Sequence, residues 1–132
     1  MLRDLEQLLD LAELSYQAEL QKMKAVMARE NALRAQLTQV DDRERAAREQ
    51  LAQPQIMQQI GADLRWQAWC MRKRRELNMD LAQVMAQKLP LQEALRRSFG
   101  RKTALADLVA QEKAKRKQTT ERRQAARLLG LE

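Results

Sequence analysis

Apolar residues recur from the start of the chain in alternating steps of three and four. The positions are Leu2, Leu5, Leu9, Ala12, Tyr16, Glu19, Met23, Val26, Glu30, Leu33, Leu37, Val40, Glu44, Ala47 and Leu51, and twelve of the fifteen are apolar. The register runs through seven heptads without a slip. A 3.5-residue repeat sustained that long calls for a partner helix wound against the same stripe. No Gly or Pro falls before Pro54, so residues 2–52 are predicted to form one helix. At 1.5 Å per residue it would be about 75 Å long.

Gln53-Pro54-Gln55 is the first break. Proline removes a backbone donor and suits the first turn of a new helix. Beyond it a second stripe reads Met57, Ile60, Leu64, Gln67, Met71, Arg74, Asn78, Leu81, Met85, Lys88, Gln92, Leu95 and Phe99, with eight of thirteen apolar. Folding the chain back at Pro54 lays the two stripes together. Leu51 then meets Met57, Leu37 meets Met71, Met23 meets Met85 and Leu9 meets Phe99. The polar intruders also coincide, with Glu30 opposite Asn78 and Glu19 opposite Lys88. Leu33 opposite Arg74 and Glu44 opposite Leu64 are poorer matches. In this frame Leu77, Val84 and Leu91 lie beside the seam and widen its apolar face.

The fold predicted is all-α, a long antiparallel helical hairpin of the coiled-coil kind. It forms one domain over 1–132: arm one at 2–52, a turn at 53–55, arm two at 56–99 and a basic C-terminal helix at 102–129. Pro90 should kink the second arm, because it cannot bond back to the carbonyl of residue 86. Gly100 is a plausible helix end. On this register Leu2 pairs near Ala106, so the basic segment after it overhangs the first arm.

Composition agrees with long helices. A third of the residues are charged and 3% are aromatic, and Gly and Pro together number five. The net charge of +7 is unevenly spread. Residues 1–52 carry 8 basic and 10 acidic groups, whereas residues 53–132 carry 17 basic and 8 acidic. A basic half points to an acidic partner. Cys70 is the single cysteine and His is absent, so an internal disulfide is excluded and a zinc site is disfavoured. With no secretory leader and no apolar run near the ~20 residues of a membrane span, a cytoplasmic setting is expected.

Catalysis finds no support in the residues. There is no histidine for a Ser–His or Cys–His pair, no Gly-rich phosphate loop and no pocketed carboxylate pair. No cofactor or small-molecule substrate is implied. The candidate chemistry is that of docking. Lys113, Lys115, Arg116, Lys117, Arg122, Arg123 and Arg127 make the C-terminal segment a basic helix; the bland alternative is a solvated tail. Trp66 and Trp69 share a face. In the counted frame that face turns outward, which makes them, with Arg72 and Lys73, a candidate partner contact. A folded-back segment carrying Leu105, Leu108 and Val109 would be their alternative cover. The run Arg72-Lys73-Arg74-Arg75 points nearly all round a helix, and no aromatics alternate with it to stack bases. Nucleic acid is therefore the weakest of the partner classes.

The N-terminal heptads from Leu2 to Leu51, the basic second half and the end EKAKRKQTTERRQAARLL together resemble the FliJ/YscO family, the stalk-like components of flagellar and virulence type III export machines. The resemblance is one of architecture and composition over most of the chain. It implies a monomeric, non-enzymatic protein seated in a hexameric export ATPase, in contact with the export gate and with export chaperones. Any membrane association would come only through those partners. It also implies that the basic residues 113–127 enter the ring, and that Trp66 and Trp69 are candidates for the gate or chaperone contact. A generic coiled-coil adaptor or self-associating structural protein is the competing reading.

Overall fold

The computed structural model describes residues 1–51 and 56–130, with the side chains of 51–60 excepted. Two helices, α1 (Leu2–Leu51) and α2 (Ile56–Leu128), pack against each other antiparallel as a helical hairpin, and the described residues contain no strand. The expected turn at Gln53-Pro54-Gln55, and the seam positions Met57 and Ile60, lie outside the described residues and side chains.

On α1 the heptad pattern is the packing pattern. All fourteen counted positions from Leu2 to Ala47 are buried or half-buried, and of the other residues up to position 50 only Leu20 joins them. Asp4 in the first turn and Arg48 in the last match the sign of the helix dipole at each end.

On α2 Arg74, Leu81, Lys88 and Leu95 keep their counted places in the seam, but the alternate positions shift by one residue, Cys70, Leu77, Val84, Leu91 and Ser98 replacing Met71, Asn78, Met85, Gln92 and Phe99. The side chains turned toward α1 are Trp66, Cys70, Arg74, Leu77, Leu81, Val84 and Lys88, followed in the same rhythm by Leu91, Leu95, Ser98, Lys102, Leu105 and Val109. Leu64, Met71, Asn78, Met85 and Phe99, which the sequence count places in the seam, are exposed instead. The two frames carry similar numbers of apolar residues. What separates them is shape and charge. Close approach of two helix axes, at 8–10 Å, favours compact side chains such as Cys, Leu and Val, while flexible Met is easily left at the edge.

Charge also moves the register along the helix. Glu30 meets Lys88 rather than Asn78, and Arg74 meets Asp41 and Glu44 rather than Leu33. The counted register would bury Glu44 against Leu64 and Arg74 against Leu33, leaving charges unpaired in an apolar contact. The observed one gives each of them a partner, which removes that cost.

The chain divides into two compact units, Met1–Lys22 with Leu91–Glu132, and Met23–Pro90. Pro90 sits at the boundary, inside a helix that continues through it. In the unit Met23–Pro90 the core is Leu33, Val40, Cys70, Leu77 and Val84, with Val26, Leu37, Trp66 and Leu81 packed against it. In the other unit Phe99 meets Tyr16, not Leu9, the rings tilted by 53° with centroids 5.7 Å apart. There Lys102 Nζ lies 4.8 Å from the Tyr16 ring centre, and Lys113 reaches Glu6 at 3.7 Å.

Two expectations about the C-terminal segment change. Gly100 ends nothing, since α2 runs unbroken to Leu128, so the expected helix 102–129 is the continuation of arm two. The overhang also starts later than residue 106. Leu105 is half-buried, Val109 is buried and Lys113 pairs with α1, so the exposed stretch begins at Lys113. After Leu128 the helix closes at Gly130, whose φ of +69° is a left-handed cap that glycine adopts without strain. Its N–H donates to the Arg127 carbonyl at 3.1 Å.

Candidate docking surfaces

The basic end of α2 is the first candidate. Every residue from Lys113 to Ala125 is exposed. The seam line that holds Val109 runs on through Arg116 and Arg123, and the line that holds Leu105 runs on through Glu112, Thr119 and Ala126. The stripe that is apolar beneath α1 thus becomes cationic and polar past it. At about 100° per residue, Lys113, Arg116, Lys117, Arg123 and Arg127 fall within about a third of the circumference, with Lys115 and Arg122 on the far side. Thr119 and Thr120 turn their hydroxyls inward, donating to the carbonyls of Lys115 and Arg116 at 3.0 and 2.9 Å. Arg116 also lies 3.7 Å from Glu112 one turn back, an exposed pair worth little.

The tryptophan pair is arranged differently from the sequence expectation. Trp66 is half-buried against the core, and its indole N–H has no acceptor among the described residues. Trp69 stacks on it, with centroids 5.1 Å apart and planes 12° from parallel, and keeps about a third of its surface exposed. The outward orientation therefore applies to Trp69 alone. The cause is the one-residue shift on α2, which carries position 66 into the seam. Arg72 is exposed and Lys73 half-buried, so the four expected contact residues do not form one outward surface. Within its own unit, Met23–Pro90, Trp66 packs against the core of Leu33, Val40, Cys70, Leu77 and Val84.

Two ionic layers punctuate the seam of that unit. In one, Glu30 accepts from Lys88 Nζ at 2.8 Å and from Arg34 Nε at 3.0 Å. These cations hold the Glu30 carboxyl below the usual carboxylate range, Lys88 contributing most. In the other, Arg74 donates to Asp41 at 2.8 Å and to Glu44, which Arg48 also reaches at 2.7 Å. Arg74 lowers the Glu44 carboxyl, and the two carboxylates raise the Arg74 guanidinium. Cys70 is fully buried beside this layer. Burial, then the nearby Glu44 charge, pushes its thiol upward, so it is an inert packing group rather than a nucleophile.

Among the described residues, no three His, Cys, Asp or Glu side chains gather as a metal site, and no helix is long and apolar enough to cross a membrane. The described residues present two candidate surfaces: a basic helical face, and an apolar stripe on α2 that heptad counting assigns to the interior. No family model, no curated protein and no solved structure matches the chain.

Proposed function

We propose that the protein is a non-enzymatic docking element of a bacterial flagellar or type III protein export apparatus. It acts at the cytoplasmic side as a stalk that engages a hexameric export ATPase, and it contacts the export gate and escorts chaperones. The observation that carries this reading is the inequality of the two helices. α2 has 73 residues against 50 in α1, and its excess is an exposed helix whose seam face is cationic. An uncovered helical face of one charge sign is a steering and docking device for an acidic surface.

The test is binding of the full chain to a purified export ATPase hexamer, measured by calorimetry at two salt concentrations. Charge reversal at Arg116, Lys117, Arg122 and Arg123 should abolish binding while helicity by circular dichroism stays unchanged. Unaltered affinity would remove the role assigned to this segment. Binding should also weaken as salt rises, since these contacts are solvent-exposed and screened.

A further inference from the structure

The helix α2 carries two heptad stripes, and only one is used within the chain. Cys70, Leu77 and Val84 face α1. One position later in each heptad stand Leu64, Met71, Asn78 and Met85, with Met79 and Ala82 beside them. Leu64, Met71 and Met79 are each more than 60% exposed, and Met85 sits at the rim. Met71, Asn78, Met79 and Ala82 line an open depression with Arg74 and Arg75. From α1, Arg34 Nη2 reaches the Met85 sulfur at 4.0 Å and marks one edge of the stripe.

We infer that this stripe is a docking groove for an acidic amphipathic helix of another protein. Three features set that occupant. The spacing of Leu64, Met71, Asn78 and Met85 is seven throughout, the repeat that receives a helix packed knobs-into-holes. Methionines are the side chains best able to reshape around a partner. Charge then chooses the kind of helix. Arg75 stands in the depression between Met71 and Met79 with no carboxylate partner among the described residues. Arg34 and Arg74 lie at the same edge but are already paired within the chain, with Glu30 and with Asp41 and Glu44, so Arg75 carries the charge preference. A carboxylate on the incoming helix would complete Arg75, and a polar residue opposite Asn78 would fix the register.

A second copy of this chain fits poorly. Laid antiparallel about Asn78, it would set Leu81 level with Arg75 and bring that guanidinium no carboxylate. The inference stands apart from the basic end of α2, which uses a different surface.

Two designed three-heptad peptides with the same leucine stripe, one flanked by Glu and one by Lys, probe the groove. The full chain is labelled at its methionine methyls. The Glu peptide should move the Met71, Met79 and Met85 signals and leave that of buried Met23 in place. It should bind at least tenfold more tightly than the Lys peptide. Arg75→Glu should cost tenfold or more in affinity for the Glu peptide, with an unchanged melting temperature. Met71→Gln with Met79→Gln should do the same by removing the apolar stripe. Equal binding of both peptides, shifts outside the stripe, or full affinity in Arg75→Glu would overturn the inference. So would a sedimentation mass of two chains that falls to one on Arg75→Glu or on the double methionine variant, which would make a second copy the occupant.

Discussion

Truncating Leu77 and Met71 to alanine separates the two possible frames of α2. Both residues lie in the interior of a helix, and alanine is the best helix former, so neither change weakens the helix intrinsically. Leu77 is 3% exposed in the core against Leu33, Val40 and Val84, whereas Met71 is 61% exposed. Buried Leu→Ala substitutions cost about 2–5 kcal/mol, depending on how far the site collapses. A two-helix seam has neighbours on only one side and can close partly over the gap, so the lower end, about 2–3 kcal/mol, applies to Leu77→Ala. Exposed substitutions stay within about 0.5 kcal/mol, which bounds Met71→Ala. For a chain of this size each kcal/mol moves the melting temperature by roughly 3–5 °C, so the expected shifts are about 10 °C and under about 2 °C. Thermal melts by far-ultraviolet circular dichroism, with urea titrations at 25 °C, read both quantities. Equal losses for the two variants, or a loss below about 1 kcal/mol for Leu77→Ala, would refute the shifted frame.

Two further outcomes are expected. Trp66→Ala should cost about 2–3 kcal/mol, because the ring packs on the core, and Trp69→Ala about 1 kcal/mol or less, because its outer face is open; urea titration of each variant checks the order, and equal or inverted losses would contradict the packing described. The Glu30 and Glu44 carboxyls, held low by Lys88, Arg34 and Arg74, release their protons more readily in the folded chain than in the unfolded one. Their stabilisation is therefore complete above the ordinary carboxylate value of about 4.3, and it is lost as pH falls below that toward the depressed values. The urea midpoint should drop between pH 6 and pH 3, and Glu30→Gln with Glu44→Gln should flatten the drop; a midpoint indifferent to pH would exclude this linkage.

The sequence reveals the seam of α1 completely and that of α2 in alternate positions, Arg74, Leu81, Lys88 and Leu95. From Leu2 to Ala47 the three-four rhythm holds without a slip, its acidic members Glu19, Glu30 and Glu44 included, and it persists although Leu8, Leu11 and Leu14 beside it are left exposed. From Leu64 to Phe99 two adjacent stripes are both apolar, and a count of hydrophobic positions does not choose between them. The sequence predicts arm two as running through Pro90 to Phe99, but helix continuity past Gly100 is not legible in it. A proline removes one hydrogen bond and a glycine weakens propensity by about 1 kcal/mol, and α2 keeps its packing against α1 on both sides of each. The basic segment was visible as composition. Its one-sidedness, with Lys113, Arg116, Lys117, Arg123 and Arg127 together, follows only once α2 is known to run as a single helix from Ile56 to Leu128.

The ionic layers explain why the two helices meet in one particular axial register. Cys70–Leu77–Val84 is wholly apolar, whereas Met71–Asn78–Met85 would bury an amide, so apolar burial favours the first stripe. Charges in the seam set the displacement along it. Arg74 and Lys88 face α1 in either frame, so α1 must set carboxylates against them. Only the observed displacement brings Glu30 to Lys88 and Glu44 to Arg74. A buried pair adds little net stability over an apolar one, but removing a partner from it is expensive. The pairs therefore act mainly against the wrong register, as a polar residue in a coiled-coil seam does. The apolar stripe turned inward leaves the methionine stripe outside, and Arg74 belongs both to an ionic layer that sets the register and to the edge of the groove inferred to receive an acidic helix.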